Sequence, residues 1–202
     1  MHNQKQQEIK TMPTQLELIH GNIMDAEVDA IVNPTDLVLS GGGGLDRVIR
    51  QAAGNEVDRV CKEIRDLYGG CQTGDAVITP AGNLSAKYII HTVGPIWTGG
   101  DIGEPKLLES CHRECLQLAV KNEIQSIAFP AISTGTFRYP LEKAAPIALK
   151  TVKEFVEYAL QHDDRVPELI QFFLFQEEAY VCYVKVLSDL GFRLSCFLGS
   201  DD

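Results

Sequence analysis

The feature that most constrains this chain is a run of four glycines at residues 41–44. An apolar run at 28–32, typical of a buried strand, precedes it, and a helical pattern that begins at Leu45 follows it. Glycine loses more backbone entropy on ordering than any other residue, so a run this long needs a compensating role. A glycine-rich turn at a helix N-terminus offers free N–H groups and the positive end of the helix dipole, which suit a phosphate. The run therefore predicts a phosphate-binding loop, with a mobile surface loop as the alternative.

Strands and helices alternate along the rest of the chain, which predicts an α/β fold with helices packed on a largely buried sheet. The predicted strands span residues 15–20, 28–32, 75–80, 87–93, 126–131 and 169–175. The predicted helices span residues 45–53, 56–67, 104–121, 140–160 and 177–190. Residues 14–202 are expected to form a single domain, and the polar residues 1–13 a disordered tail. The apolar residues after Leu190 are expected to add a short strand or to pack on the core.

The composition argues against several classes of function. A net charge of -10 disfavours nonspecific binding of nucleic acid, which depends on clustered lysine and arginine. A small phosphate ligand stays open, since backbone N–H groups bind anions without net positive charge. We expect neither a secretory signal nor a membrane-spanning segment, because no apolar run has the required length. Six cysteines without a CxxC pair favour a reducing compartment, so we expect a cytoplasmic protein.

A second polar loop follows the predicted strand at 126–131. Its members include Ser133, Thr134, Gly135, Thr136 and Phe137. Hydroxyl, glycine and aromatic residues together suit a phosphate that carries a ribose or a base ring. Ligands of α/β sheets tend to bind beyond the carboxyl ends of the strands, so both loops are expected on one rim of the sheet. The two loops therefore predict one site for a phosphate-bearing ligand.

Several motifs follow one another in a recognisable order over roughly residues 15 to 191. They are Val-Asp-Ala-Ile-Val-Asn at 28–33, the glycine run with Leu-Asp at 45–46 and Ala-Ala-Gly at 52–54, Gly-Asp-Ala at 74–76, Ile-His-Thr-Val-Gly-Pro at 90–95, and Ile-Ala-Phe-Pro-Ala-Ile-Ser-Thr-Gly at 127–135 with Tyr-Pro at 139–140. In order and spacing they resemble the macro domain family. The resemblance implies a three-layer α/β/α sandwich with a central mixed, mostly parallel sheet. It also implies that ADP-ribose or a mono-ADP-ribosylated protein is the partner.

The resemblance implies roles for individual residues. The two loops would wrap the diphosphate with backbone N–H groups, Phe137 would pack near the distal ribose, and Asn22 and Ile23 would lie at the adenine. Family members often have Asp in place of Asn22; the Asn22 amide oxygen accepts the same hydrogen bond without the charge. The implied ligand-binding residues are Asn22, Ile23, Asn33, Gly42, Gly43, Gly44, Leu45, Ser133, Thr134, Gly135, Thr136 and Phe137.

Two carboxylates would carry the implied chemistry. Asp46 matches the Asp that follows the glycines in MacroD-type hydrolases, where it orients or activates water for cleavage at the distal ribose. Those enzymes have Asn-Ala-Ala-Asn before the glycines, and here Asp36 replaces the last Asn, which helps to hold that ribose. Asp36 would accept bonds from ribose hydroxyls and add negative charge near a diphosphate. The simpler interpretations are an Asx-turn for Asp36 and a helix-dipole preference for Asp46.

Other residues depart from the family pattern or invite a different interpretation. Arg138 stands where many relatives have Gly, and it would pair with a phosphate, obstruct the distal pocket or remain a solvated charge. Arg50 stands where MacroD-type enzymes carry His. Cys111 and Cys115 share a helical face, but no further ligand pair is evident, so we expect no metal and no cofactor. His91 is expected to be a buried structural histidine.

Four functions follow from these observations. The first is a binding module for free ADP-ribose or mono-ADP-ribosylated protein, which rests on both loops. The second is a hydrolase that removes mono-ADP-ribose from proteins or the acetyl group from O-acetyl-ADP-ribose, which rests on Asp46 and is weakened by Asp36. A nucleic-acid-binding domain is disfavoured by the charge, and a degenerate domain that serves as an interaction surface is the remaining alternative. We expect a monomer without a membrane partner.

Overall fold

The computed structural model describes residues 14–162 and 164–190, where six strands and five helices form. The predictions for residues 1–13 and for the residues after Leu190 lie outside this range. The strands are β1 (Gln15–His20), β2 (Ala30–Pro34), β3 (Ala76–Pro80), β4 (Tyr88–Thr92), β5 (Ser126–Phe129) and β6 (Leu169–Leu174). The helices are α1 (Gly44–Ala53), α2 (Asn55–Tyr68), α3 (Glu104–Lys121), α4 (Leu141–His162) and α5 (Glu177–Asp189). Within the described range, no helix is long and apolar enough to cross a membrane.

The strands form a single sheet in the order β1-β6-β5-β2-β4-β3. Every neighbouring pair is parallel except β3 and β4, which are antiparallel at one edge. The predicted mixed, mostly parallel sheet is therefore confirmed. Because β1, β6, β5 and β2 run in the same direction, the loops that follow them all leave from the same edge of the sheet.

Helices cover both faces of the sheet. Ile90 and Phe172 point to one face and pack in a core with residues of α3, α4 and α5. The next residues along the same strands behave differently, since Ile89 and Phe173 lie in a second core with residues of α1 and α2. Alternate residues of a strand point to opposite faces, so two cores on one sheet make three layers. The predicted α/β/α sandwich is confirmed.

The strand before the glycines ends later than its apolar pattern indicates. The prediction ended it at Val32, but β2 continues through Asn33 to Pro34, because its pairing with β4 continues through His91 to Thr92. The pattern missed these two positions since neither is an apolar β-former. The extension places Asn33 inside the sheet, where it is fully buried.

Candidate functional site

A cleft of about 710 Å³ opens at the carboxyl-terminal edge of the parallel strands. Four loops build it, and they follow β1, β2, β5 and β6, which are consecutive neighbours in the sheet. The lining residues are Gly21, Asn22, Ile23, Pro34, Thr35, Asp36, Gly42, Gly43, Gly44, Leu45, Asp46, Val48, Pro130, Ala131, Ser133, Thr134, Gly135, Thr136, Phe137, Phe173, Phe175, Gln176 and Ala179. All the residues predicted for the site line this cleft except Asn33.

The glycine loop leads directly into the first turn of α1. Gly44 starts the helix with a φ of 57°, in the left-handed region that favours glycine. A Cβ added at Gly43 would meet nothing within 4 Å, so the backbone of this residue faces open space. A Cβ at Gly44 would lie 3.9 Å from Thr136 Oγ1, which shows how closely the two loops approach one another.

The second loop is held by its own backbone. The Tyr139 N–H donates to the Ser133 carbonyl at 3.0 Å, and the Arg138 N–H donates to the Gly135 carbonyl at 2.9 Å. Ser133 adopts a φ of 66°, a left-handed conformation that is uncommon for a residue with a side chain. Among the described residues, the N–H groups of Gly135, Thr136 and Phe137 find no backbone acceptor. These donors form the kind of backbone concavity that binds anions.

A loop behind the second one supports it. The Trp97 N–H donates to the Phe137 carbonyl at 2.9 Å, and the Trp97 and Tyr139 rings lie 4.6 Å apart between centroids. The buried Glu104 carboxylate closes the supporting loop by accepting from the Thr98 hydroxyl and from the N–H groups of Thr98, Gly100 and Ile102. The bond from the Thr98 hydroxyl and those from the backbone lower the pKa of Glu104 to about 2. Neither Trp97 nor Glu104 was predicted to act near the site.

Asp46 lies in the first turn of α1 and is buried at the floor of the cleft. Its Oδ1 accepts from Asn33 Nδ2 at 2.7 Å, and its Oδ2 accepts from the Thr35 hydroxyl at 2.8 Å. Both donors come from β2 or the residue after it, so the strand fixes the orientation of a carboxylate carried by the helix. Each oxygen keeps one lone pair that a water or a ligand hydroxyl can use.

The same network continues below the cleft to His91. The Asn33 amide also approaches His91 Nδ1 at 3.0 Å, and the Thr79 hydroxyl lies 2.9 Å from His91 Nε2. Burial lowers the pKa of His91 to about 3, and the nearby Arg50 charge contributes. A neutral ring therefore accepts from Asn33 at Nδ1 and donates from Nε2 to Thr79. His91 is thus the buried structural histidine that the sequence predicts.

Asn33 has a different position from the one that the resemblance implies. It is fully buried and lies below the lining residues, where its Nδ2 serves both Asp46 and His91. Its Oδ1 has no partner among the described residues. The geometry makes Asn33 a support of Asp46 rather than a wall of the cleft.

Asp36 lines the cleft, but its carboxylate serves its own loop. Its Oδ1 accepts from the N–H groups of Val38 at 3.1 Å and Ser40 at 2.9 Å, and its Oδ2 accepts from the Ser40 hydroxyl. The bond to the N–H two residues ahead is the Asx-turn that the sequence left open. Leu39, inside this turn, is fully buried with a φ of 54°.

Arg50 holds the same loop from below. Its Nη2 donates to the Leu39 carbonyl at 3.1 Å, its Nη1 contacts the Cys61 thiol, and its Nε lies 2.8 Å from the Asp58 carboxylate. The buried guanidinium therefore ties the turn 36–40 to α2. Arg138, in contrast, is exposed and is not among the lining residues, which agrees with the solvated charge rather than with an obstruction.

The loops that follow β1 and β6 form another end of the cleft, and only the residues after β1 were predicted. Asn22 is exposed and uses its Oδ1 to cap the 3-10 turn Ile23–Asp25 at Met24 N, 3.1 Å away, while Ile23 is buried. Four residues at this end come from the end of β6 and the start of α5, and sequence reasoning missed them: Phe173, Phe175, Gln176 and Ala179. The available signal was the carboxyl end of a predicted strand, the same rule that located the other two loops.

Comparison with known proteins gives the class of this fold and site. The macro domain family model matches residues 32–148. Of the relatives with curated names, the O-acetyl-ADP-ribose deacetylase of Salmonella newport is 50% identical over 181 residues, which are 89% of this chain and 98% of that protein. A macro domain-containing protein of Caldanaerobacter subterraneus is 47% identical over 179 residues, covering 89% of this chain and 99% of that one.

Solved structures agree with the sequence relatives. The macrodomain of Oceanobacillus iheyensis with ADP superposes with a TM-score of 0.82 and 37% identity, covering 90% of this chain and 94% of that one. The macrodomain of Trypanosoma brucei in complex with ADP-ribose gives a TM-score of 0.75 and 37% identity, covering 85% of this chain and 68% of that one. The chain belongs to the macro domain family.

Proposed function

We propose that this protein binds ADP-ribose in the cleft between the glycine loop and the second loop. The observation that carries the proposal is the pair of glycine-containing loops that face each other there. The helix dipole of α1 lies behind one, and the other has N–H groups that find no backbone acceptor in the part of the chain that the structure describes. A diphosphate between them would accept from both sides. The relatives named above, one of which is in complex with ADP-ribose, support the proposal.

The shape of the cleft and the resemblance together give the ligand an orientation. The adenine would lie at the end formed by Asn22 and Ile23, where the Asn22 oxygen has a lone pair left for the amino group. The distal ribose would lie at the other end, near Asp36 and Asp46 and beside Phe137. The apolar Ile23 and Phe137 would contact the two ring systems.

The position of Asp46 favours a second function, hydrolysis at the distal ribose. Its carboxylate lines the cleft, and two donors fix its orientation while leaving a lone pair on each oxygen. A water held between Asp46 and the diphosphate would give a proton to Asp46 and attack the acetyl carbonyl of O-acetyl-ADP-ribose, which breaks the ester C–O bond and releases acetate and ADP-ribose. On a modified protein it would attack the ribose carbon, which breaks the bond to the side chain and releases ADP-ribose, and in either case the proton passes to the leaving oxygen. Relatives named O-acetyl-ADP-ribose deacetylase support the first of these substrates.

Asp36 has a modest part in either function. Its two oxygens already accept three bonds from the turn 36–40, so contact with a ribose hydroxyl would use only the one lone pair left on Oδ2. We retain it as a predicted site residue because it lines the cleft.

Calorimetry with ADP-ribose tests the binding proposal, and saturable heat with one site per chain is expected. Absence of binding at about 1 mM ligand, where even weak sites fill, contradicts it. Release of acetate from O-acetyl-ADP-ribose, or of ADP-ribose from a modified protein, tests hydrolysis separately. Binding without release of either product retains the first function and removes the second.

The proposal extends to the oligomeric state, the cellular compartment and the macromolecular partner of the protein. A single domain over 14–202 would act as a monomer, since one chain supplies all four loops of the cleft. Five free cysteines in the described range favour a reducing compartment such as the cytoplasm. We propose a mono-ADP-ribosylated protein as the macromolecular partner, which would place its modified side chain at the distal end.

A further inference from the structure

Three apolar side chains are exposed on the turn that follows the cleft-lining Asp36 and on the end of α2, which contacts that turn. Leu37 and Val38 are each 48% exposed, and Tyr68 at the end of α2 is 78% exposed. These three residues are called the rim patch below. Exposed apolar side chains are unremarkable singly, but a group of them on one edge of a binding site indicates a contact surface.

The backbone that presents Leu37 and Val38 is fixed on every side. The Leu37 carbonyl accepts from the Cys71 N–H at 2.9 Å, and the Val38 carbonyl accepts from Arg65 Nη1 at 2.9 Å. The Val38 N–H donates to the Asp36 carboxylate, and buried Leu39 anchors the turn underneath. The two side chains therefore remain outside although their backbone is held by both α2 and Asp36. Such a preorganised surface loses little entropy when a partner binds.

Tyr68 extends the patch from the neighbouring helix. Arg65 contacts the turn at Val38, and Tyr68 lies three residues further along α2, on the same face of the helix. The chain then turns back through Gly70, where an added Cβ would lie 2.0 Å from the Leu37 carbonyl oxygen. The end of α2 and the turn 36–40 are therefore in direct contact.

The rim patch is continuous with the cleft, since Asp36 lines the cleft and the chain passes from it directly to Leu37 and Val38. This step rests on the proposed function, in which the distal ribose lies near Asp36. A polypeptide attached to that ribose would therefore leave the cleft over the edge that Leu37 and Val38 form. Free ADP-ribose has nothing there to contact the patch, whereas a polypeptide does. Apolar side chains fit a polypeptide better than a nucleic acid, whose binding relies on cationic side chains.

We propose that the rim patch docks the polypeptide of a mono-ADP-ribosylated protein, and that it prefers apolar residues next to the modified side chain. The patch then adds affinity for the modified protein without changing affinity for ADP-ribose itself. In this arrangement the Asp36 carboxylate contributes by holding the turn that presents Leu37 and Val38.

Binding of three ligands tests the proposal: free ADP-ribose, a mono-ADP-ribosylated peptide with leucine and phenylalanine beside the modified residue, and the same peptide with serines there. The wild-type protein is expected to bind the apolar peptide about tenfold tighter than the serine peptide, from burial of two half-exposed aliphatic side chains. The Leu37→Ser/Val38→Ser variant is expected to lose that preference and to keep the wild-type affinity for free ADP-ribose.

A matched control carries two serines at exposed apolar positions that do not line the cleft, Tyr158→Ser/Val181→Ser, and is expected to retain the preference. Equal affinity of the wild-type protein for both peptides overturns the proposal while leaving ADP-ribose binding intact. Equal weakening of all three ligands by Leu37→Ser/Val38→Ser also overturns it, since the turn would then act through the cleft. The choice of a polypeptide as partner is overturned if a mono-ADP-ribosylated oligonucleotide binds more tightly than the apolar peptide and if Leu37→Ser/Val38→Ser removes that difference. If no ligand binds at all, the proposed function fails together with the docking surface.

Discussion

Asp46 and Asp36 are ten residues apart in the sequence, and both line the same cleft, but they are held in different ways. Asp46 is fixed across a distance, because a helix carries it and donors from Asn33 and Thr35 at the end of β2 orient it. Asp36 is fixed locally, by N–H and hydroxyl groups of its own turn. The difference teaches that a carboxylate on a site wall has a chemical role only where its lone pairs remain directed at the ligand. It predicts that substitutions of Asp46 affect chemistry and that substitutions of Asp36 affect the turn.

The largest effect is expected from Asp46→Asn. The amide keeps an oxygen for Asn33, and the Thr35 hydroxyl is able to turn and accept from its NH2, so the fold survives. If Asp46 orients or activates the water, turnover of O-acetyl-ADP-ribose falls by about 10² to 10⁴-fold. Affinity for ADP-ribose changes far less, by at most about fivefold and in the direction of tighter binding, since the lost interaction belongs to the transition state and the lost charge only repelled the diphosphate.

Steady-state kinetics and calorimetry on the same preparation measure both quantities. Asp66→Asn, an exposed carboxylate on α2 that pairs with Lys62, is the control and leaves both unchanged. Wild-type turnover in the Asp46→Asn variant would remove Asp46 from the mechanism and leave the helix-dipole explanation.

The next effect concerns the buried network beneath Asp46. His91 has a folded-state pKa of about 3 against an ordinary value of 6.5, so below pH 6.5 the unfolded chain takes up a proton that the folded chain excludes. The stability that neutral His91 contributes is therefore present above pH 6.5 and is lost as the pH falls. Linkage gives a loss of about 2 kcal/mol between pH 7 and pH 5. Burial also lowers the pKa of His112, to about 4, so His112 adds a loss of the same sign.

Urea unfolding at a series of pH values checks this prediction. In His91→Gln the free energy of unfolding should depend less steeply on pH, whatever its absolute value. An unchanged slope in His91→Gln would show that folding does not lower the pKa of His91.

The sequence predicted the parts of this site that depend on backbone. The glycine run and the loop after β5 lie where the strand-end rule put them, because glycine content and strand order are visible in the residues. It could not separate the two explanations of Asp36, since an Asx-turn and a ribose contact use the same oxygens. Asn33 was predicted to bind ligand, but it is buried because β2 pairs with β4 for two residues beyond the apolar run. Neither Asn33 nor Pro34 is an apolar β-former, so the sequence pattern did not reveal this extension. The lining residues at the end of β6 and the start of α5 also follow a predicted strand, but they were missed because no glycine or hydroxyl residues marked this loop as ligand-binding.

Asp36→Ala should have a smaller effect than Asp46→Asn or His91→Gln, which both change buried side chains. It removes the acceptor of the Val38 and Ser40 N–H groups and of the Ser40 hydroxyl, in a turn that water can reach. The expected loss is about 1 kcal/mol of unfolding free energy, as for the loss of a helix cap. Thermal and urea unfolding measure it, with Asp66→Ala as an exposed control that is expected to leave stability nearly unchanged. A fall in turnover as large as that of Asp46→Asn would contradict the division between the two carboxylates.

The smallest effect is expected from Asp36→Asn, which restores the residue of the MacroD-type pattern. The amide oxygen still accepts from Val38 and Ser40, and the Ser40 hydroxyl is able to accept from the new NH2, so stability changes by less than about 0.5 kcal/mol. Removal of one negative charge from the cleft wall should raise the affinity for the ADP-ribose diphosphate about two- to fivefold at low ionic strength, and the gain should fade at high salt. Calorimetry at two salt concentrations measures the gain, and Asp66→Asn should show none. An unchanged affinity at low salt would place the Asp36 charge too far from the ligand to matter, and a large rise in turnover would instead make Asp36 a direct restraint on the chemistry at Asp46.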